Sequence, residues 1–277
     1  MVPAVLGDVV HTDQQPYREL HDAILWTRGN LQSDSLFAWI TRNSEEIEWL
    51  RNFGIRSSPQ TPASPEELWR LYALSRVIEL LALSFQASVA DGSSWPGVSL
   101  NEFRSFACEL GLTVVEPECF PPFDCEIVSV ANGADRDQPV TLIESHWPCL
   151  MLGEMLVFRA GTSVTGGANV INPSIALSST LYWACRRETR PHQDLSHGWG
   201  SNSQWRTSFR RDYRQGSHVY YNVDGKHDLA AEDIVADEEF PLTRAERIEL
   251  LTHRCFIVTE KPSDDLWPYD DRITVEL

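Results

Sequence analysis

Apolar residues recur at helical spacing along the first part of the chain and at strand spacing along the rest. Pro16 opens an amphipathic run with Leu20 and Ile24 on one face; Gly29 follows it, where a residue without Cβ can take a left-handed cap. Ser44 is placed to cap the next helix, with Glu45 and Glu46 in its positive first turn, Ile47 and Leu50 inward, and Gly54 beyond its end. Ser64, Pro65 and Glu67 spell a capping box with proline at the first helical position. Along the helix it opens, Leu68, Leu71, Ile78, Leu81 and Phe85 keep the period, while Val77, Leu80 and Leu83 widen the apolar surface, which predicts a central helix buried on more than one side. Ser99 and Glu102 repeat the box, with Phe103, Phe106 and Leu110 inward and Gly111 as terminator.

Pro117, Pro121 and Pro122 mark the change of period. Residues 125–131 and 140–144 are short apolar segments flanking a polar stretch, a hairpin-like pattern. Residues 149–152 and 155–160 predict two strands around Gly153-Glu154, residues 161–167 a turn, and residues 180–186 a further strand. Residues 205–213 alternate at period two, Gln215-Gly216-Ser217 permits a reversal, and Asp224-Gly225 predicts a two-residue hairpin. Thr243 and Glu246 form a third capping box, opening a helix through His253, with residues 255–259 as a final strand. The expected class is α+β: a helical region over 1–117, packed on an antiparallel strand-rich region over 118–277 with a helix near 244–253, as two units or one continuous domain.

Charge narrows the function classes. In 277 residues, 23 Lys and Arg stand against 40 Asp and Glu, a net charge of -17, so phosphate backbones and anionic lipid are repelled and no nucleic-acid partner is expected. The most apolar stretch, 68–89, is interrupted by Arg70, Arg76 and Glu79, so no membrane span is expected. Residues 1–10 lack Lys and Arg and are broken by Pro3, Gly7 and Asp8, unlike a secretory leader; together with six widely spaced cysteines this predicts a soluble cytoplasmic protein with reduced thiols.

Against that acidic background, residues 186–214 hold seven arginines (Arg186, Arg187, Arg190, Arg206, Arg210, Arg211, Arg214) and three acids, a local charge of +4. Guanidinium forks suit carboxylate or phosphate, so one expectation is a positive pocket for a small anionic ligand, with Arg206, Arg210 and Arg214 binding it. The competing expectation, and the commoner fate of such clusters, is internal pairing with the acidic residues of 228–249 and 260–271. Between the arginines lies a loop by composition, rich in hydrogen-bonding groups, in which Gly198 and Gly200 flank Trp199. If the site is catalytic, His192 or His197 would be the general base oriented by Asp194, with Asn202 and Gln204 stabilising developing negative charge. There is no Gly-x-Ser-x-Gly elbow, no zinc spacing, no phosphate loop and no dinucleotide fingerprint, so neither metal nor cofactor is expected.

Two functions follow as expectations. The first is a noncatalytic acidic binding module that captures a basic protein partner; in charge and size alone it resembles immunity-type inhibitors of nuclease-like toxins, with no motif carrying the resemblance. The second is a hydrolase or group transferase acting on a small anionic substrate at residues 186–214.

Overall fold

The structure is a computed structural model that describes residues 15–27, 33–87, 97–193, 205–231, 242–261 and 268–277. Five helices lead: α1 (Gln15–Trp26), α2 (Ser33–Arg42), α3 (Ser44–Arg56), α4 (Pro65–Ala82) and α5 (Leu100–Glu109). Strands β1 (Thr113–Val115), β2 (Cys125–Asn132), β3 (Thr141–Trp147), β4 (Cys149–Leu152), β5 (Met155–Phe158) and β6 (Ala160–Gly166) follow. After the short α6 (Pro173–Ser178) come β7 (Tyr213–Gln215), β8 (His218–Tyr221), β9 (His227–Asp228), α7 (Arg244–His253) and β10 (Asp271–Glu276). The class is α+β. Among the described residues no helix is long and apolar enough to cross a membrane.

The three capping boxes form as the sequence predicts, at Ser64 with Glu67, Ser99 with Glu102, and Thr243 with Glu246. Gly111 takes φ +86 just past α5. Ser44 does not cap α3: it is the first helical residue and Asn43 precedes it as the cap position. Gly54 lies inside α3 rather than after it, because α3 crosses the β4–β5 turn there; a Cβ on Gly153 would stand 2.5 Å from the Gly54 carbonyl oxygen. Gly29 lies outside the described residues, and α1 ends at Trp26.

Seven strands form the main sheet in the order β1-β4-β5-β7-β8-β10-β9, entered at Thr113 and so before the proline joint. Its central strands are buried on both faces, which explains their unbroken apolar runs. Along β4 and β5, Leu150, Leu152, Met155 and Val157 face the core formed with the five leading helices, while Cys149, Met151 and Leu156 join a second cluster with Phe123, Val219 and Leu251 of α7. Period two therefore separates two apolar surfaces instead of apolar from polar. The central helix is packed on several sides, with Leu71, Leu74, Val77, Ile78 and Leu81 each no more than 1 % exposed.

The second sheet has the order β2-β6-β3. Residues 125–131 and 140–144 are strands, but they do not form a hairpin with each other: β6 lies between them, parallel to β2 and antiparallel to β3. Residues 161–167, expected as a turn, are mostly this strand. Gly161 is needed there for proximity, since a Cβ would meet the Trp147 ring at 2.3 Å. In the main sheet β10 likewise separates β8 from β9, so Asp224-Gly225 turns the chain without making a two-stranded hairpin. Three expected strands are absent. Residues 180–186 contribute one isolated bridge, Leu181 to His192, and residues 206–212 and 255–259 are irregular.

Candidate functional site

The described residues of the arginine-rich segment ahead of β7 are irregular, and side-chain contacts rather than a ladder hold them in place. Residues 206–212 cross between α4 and α7 before joining the sheet as β7, and Arg210, Arg211 and Asp212 are all buried. Arg211 forks onto Asp224, with Nε at 2.8 Å and Nη2 at 2.6 Å, and its Nη1 donates to the Thr61 carbonyl and the Tyr213 hydroxyl. Arg214 pairs with Asp124. Arg187 forks onto Glu126, with Nε at 2.7 Å and Nη2 at 2.6 Å, and lies 3.5 Å from Glu79. Glu79, in the last turn of α4, also accepts the backbone amides of Cys185 and Arg186 at 2.5 and 3.0 Å. Burial opposes ionisation of Glu126, yet the neighbouring Arg187, Arg190 and Arg159 hold its carboxyl below the usual range.

The segment's arginines are thus largely turned inward and paired, and much of 228–249 and 260–271, the expected source of their carboxylates, lies outside the described residues. Among the described residues the partner carboxylates are Glu79 of α4, Asp124 just before β2, Glu126 within it, the segment's own Asp212 and the nearby Asp224. Arg206 differs: it is exposed, with its guanidinium 5.7 Å from the Trp69 ring centre. Arg206, Arg210 and Arg214 therefore reach three different neighbours, Trp69, Asp212 and Asp124. His192 is half-buried with Nδ1 3.3 Å from the Arg190 carbonyl oxygen. Asp194, His197, Trp199, Asn202 and Gln204 lie outside the described residues. Among the described residues no group of three or more His, Cys, Asp and Glu is placed to hold a metal ion.

One centre stands out. Asp212, wholly buried, accepts Arg210 Nε at 2.7 Å on one oxygen and Arg254 Nη2 at 3.2 Å on the other, and the Asn222 amide at 2.7 Å. The Arg210 guanidinium lies 4.1 Å from the Trp183 ring centre. Arg210 Nη2 and Arg159 Nη2 donate to Leu251 and Thr252, consecutive carbonyls in the last turn of α7, where the helix dipole is negative. Trp183, Asn222 and Arg254 have φ of 57, 52 and 61, the non-glycine residues with positive φ among those described. Each such conformation costs about 1–2 kcal/mol outside glycine, less for asparagine. All three contact the Arg210–Asp212 pair.

The electrostatics of the centre are lopsided. Burial would raise the Asp212 carboxyl, but Arg210, Arg254 and Arg159 outweigh it and hold the group below the usual aspartate range. Burial, aided by repulsion from Arg254 and Arg159, pushes Arg210 down to about 9 despite Asp212. Sequence reasoning missed Arg159 and Arg254, which lie outside the arginine-rich segment, and their one local signal is a left-handed position after α7 that no glycine fills. No protein family, curated protein or solved structure matches the chain.

Proposed function

We propose that the protein is a noncatalytic binding module whose acidic surface captures a basic protein partner. The observation that carries this reading is the excess of exposed carboxylates over exposed basic side chains among the described residues. Arg76, Arg159, Arg190, Arg210 and Arg211 are buried alongside Glu46, Glu79, Asp124, Glu126, Asp212 and Asp271, so the interior is close to charge balance and the acidic excess of the sequence lies outside it. Such a field speeds encounter with a cationic surface and disfavours anionic ones. Trp26 and Ile55, 80 % and 84 % exposed, offer apolar anchors of the kind that fix affinity once the field has brought a partner in. An enzyme working through His192 has less support, since the described arginines of its proposed pocket diverge to separate neighbours.

The test is affinity capture from the native source, with the purified chain immobilised, followed by titration of the captured protein. The reading expects a stoichiometric basic protein whose affinity falls steeply as salt shortens the screening length below ~10 Å, and falls further in a Trp26→Ala, Ile55→Ala double variant. Recovery of no basic protein, or binding indifferent to salt, would refute it.

A further inference from the structure

Among the described residues, the buried centre around Asp212 has more positive charge and more hydrogen-bond donors than the neighbouring groups answer. Arg159, Arg210 and Arg254 share a single carboxylate, Asp212, with two α7 carbonyls as the other acceptors. Widening the circle does not restore balance: Asp124 is taken by Arg214, and Glu126 and Glu79 by Arg187. Arg159 is 3 % exposed and Arg210 5 %, yet Arg159 Nε and Nη1, Arg210 Nη1 and Arg254 Nε are buried with no hydrogen-bond partner. Buried guanidinium donors are normally satisfied, and a surplus of buried like charge is normally met by a counterion. Strained backbone at Trp183, Asn222 and Arg254 encloses the same centre, and such strain gathers at ligand clamps.

We propose that Arg159, Arg210 and Arg254 form a binding site for one small tetrahedral oxyanion of the phosphate class, free or as a phosphomonoester. Several oxygens on one compact anion suit donors from three forks, whereas Asp212 has only two oxygens, already shared between Arg210 and Arg254. Arg254, whose side chain is 13 % exposed against 2 % for Arg210, marks the side open to solvent. This site does not depend on the protein-binding reading and excludes Arg206 and the histidines of the arginine-rich segment.

The test uses the full chain with inorganic phosphate and, separately, phosphoserine, at constant ionic strength with chloride as reference. Calorimetric titration should give one saturable phosphate site, and Tm should rise by roughly 5 °C at about one hundred times Kd. Arg254→Gln should abolish both effects while keeping the far-ultraviolet circular dichroism of the folded chain. Saturation by both ligands indicates a site open to phosphomonoesters, and by inorganic phosphate alone a closed one; either supports the proposal. A Tm rise that never saturates, or one unchanged in Arg254→Gln, would show a general salt effect and overturn it. Should Arg254→Gln fail to fold, phosphorus NMR on the natural sequence decides: saturable broadening reversed by sulfate supports the site, and its absence refutes it.

Discussion

Arg210 donates Nε to Asp212 at 2.7 Å and is separated from it by a single residue, so the pair is made within one short, irregular stretch of chain. What makes it consequential is where each partner also reaches: Arg210 to the end of α7 through Leu251, Asp212 to Arg254 and to the Asn222 amide. The pair ties α7, the entry to β7 and the end of β8 together without a shared ladder. Removing the carboxylate would leave several buried guanidiniums unopposed. Asp212→Asn is expected to cost about 3–5 kcal/mol, because breaking a buried pair strands its charge. Urea denaturation of the variant measures this, and a loss below about 1 kcal/mol would show the network to be incidental.

A second prediction concerns packing between the small sheet and the core. Trp147 is 1 % exposed, its Nε1 donates to the Arg159 carbonyl at 2.9 Å, and its ring lies directly over Gly161. Gly161→Ala should destabilise by about 1–3 kcal/mol or more through overpacking, with a red shift of tryptophan emission if the ring is displaced. Unchanged stability and emission would mean that the ring moves aside freely.

His253, at the end of α7, stacks on Phe120 with ring centres 6.4 Å apart. Burial, with repulsion from Arg159, lowers its pKa to about 3. The unfolded chain takes up a proton near pH 6.5 while the folded chain does not, so stability should fall as pH drops from about 6.5 toward 3, by at most about 1.4 kcal/mol per pH unit from this group. His21, also lowered chiefly by burial, acts in the same direction. Asp212 and Glu126 add losses only at lower pH, as it falls through the carboxylates' ordinary range toward their depressed folded values. Denaturation midpoints at pH 7 and 5 for the natural chain and His253→Gln test this; the variant should show the shallower dependence.

The cysteines should divide by burial. Cys108 and Cys119 are exposed, whereas Cys125, Cys149, Cys185 and Cys255 are buried. Burial, with Asp124 nearby, raises the Cys125 thiol to about 12 and pushes Cys149 up as well. A thiol reagent should therefore modify two cysteines quickly in the folded chain and six in denaturant, since the thiolate is the reactive form. Rapid modification of four or more in the folded chain would contradict this burial.

Helix starts were legible because capping is local: the box at Thr243 and Glu246 is written within four residues and forms as written. Strand partners were not, because pairing is decided by segments far along the chain. Asp224-Gly225 carries a strong hairpin pattern, yet β10 takes the place beside β8, and Asp224 itself serves Arg211. Residues 205–213 alternate like a strand, but burial of Arg210, Arg211 and Asp212 among side-chain partners outweighs propensity there. Pairing of the arginines was foreseeable as a class, while their partners were not. Glu79 was legible only as an interruption of an apolar helix, and its role as acceptor for Cys185 and Arg186 needs the fold.

The position of β6 between β2 and β3 bears on how the chain reaches this structure. β4–β5 and β7–β8 join near neighbours in sequence and can close within microseconds, whereas the parallel pairing of β2 with β6 joins segments with β3, β4 and β5 between them in the chain. β6 is the partner of both β2 and β3, so without it both edges of the small sheet's outer strands are bare. The small sheet, like the β5–β7 and β8–β10 pairings that close still longer stretches of chain, is therefore expected to form after those hairpins, its strand edges open to misplaced pairing until then.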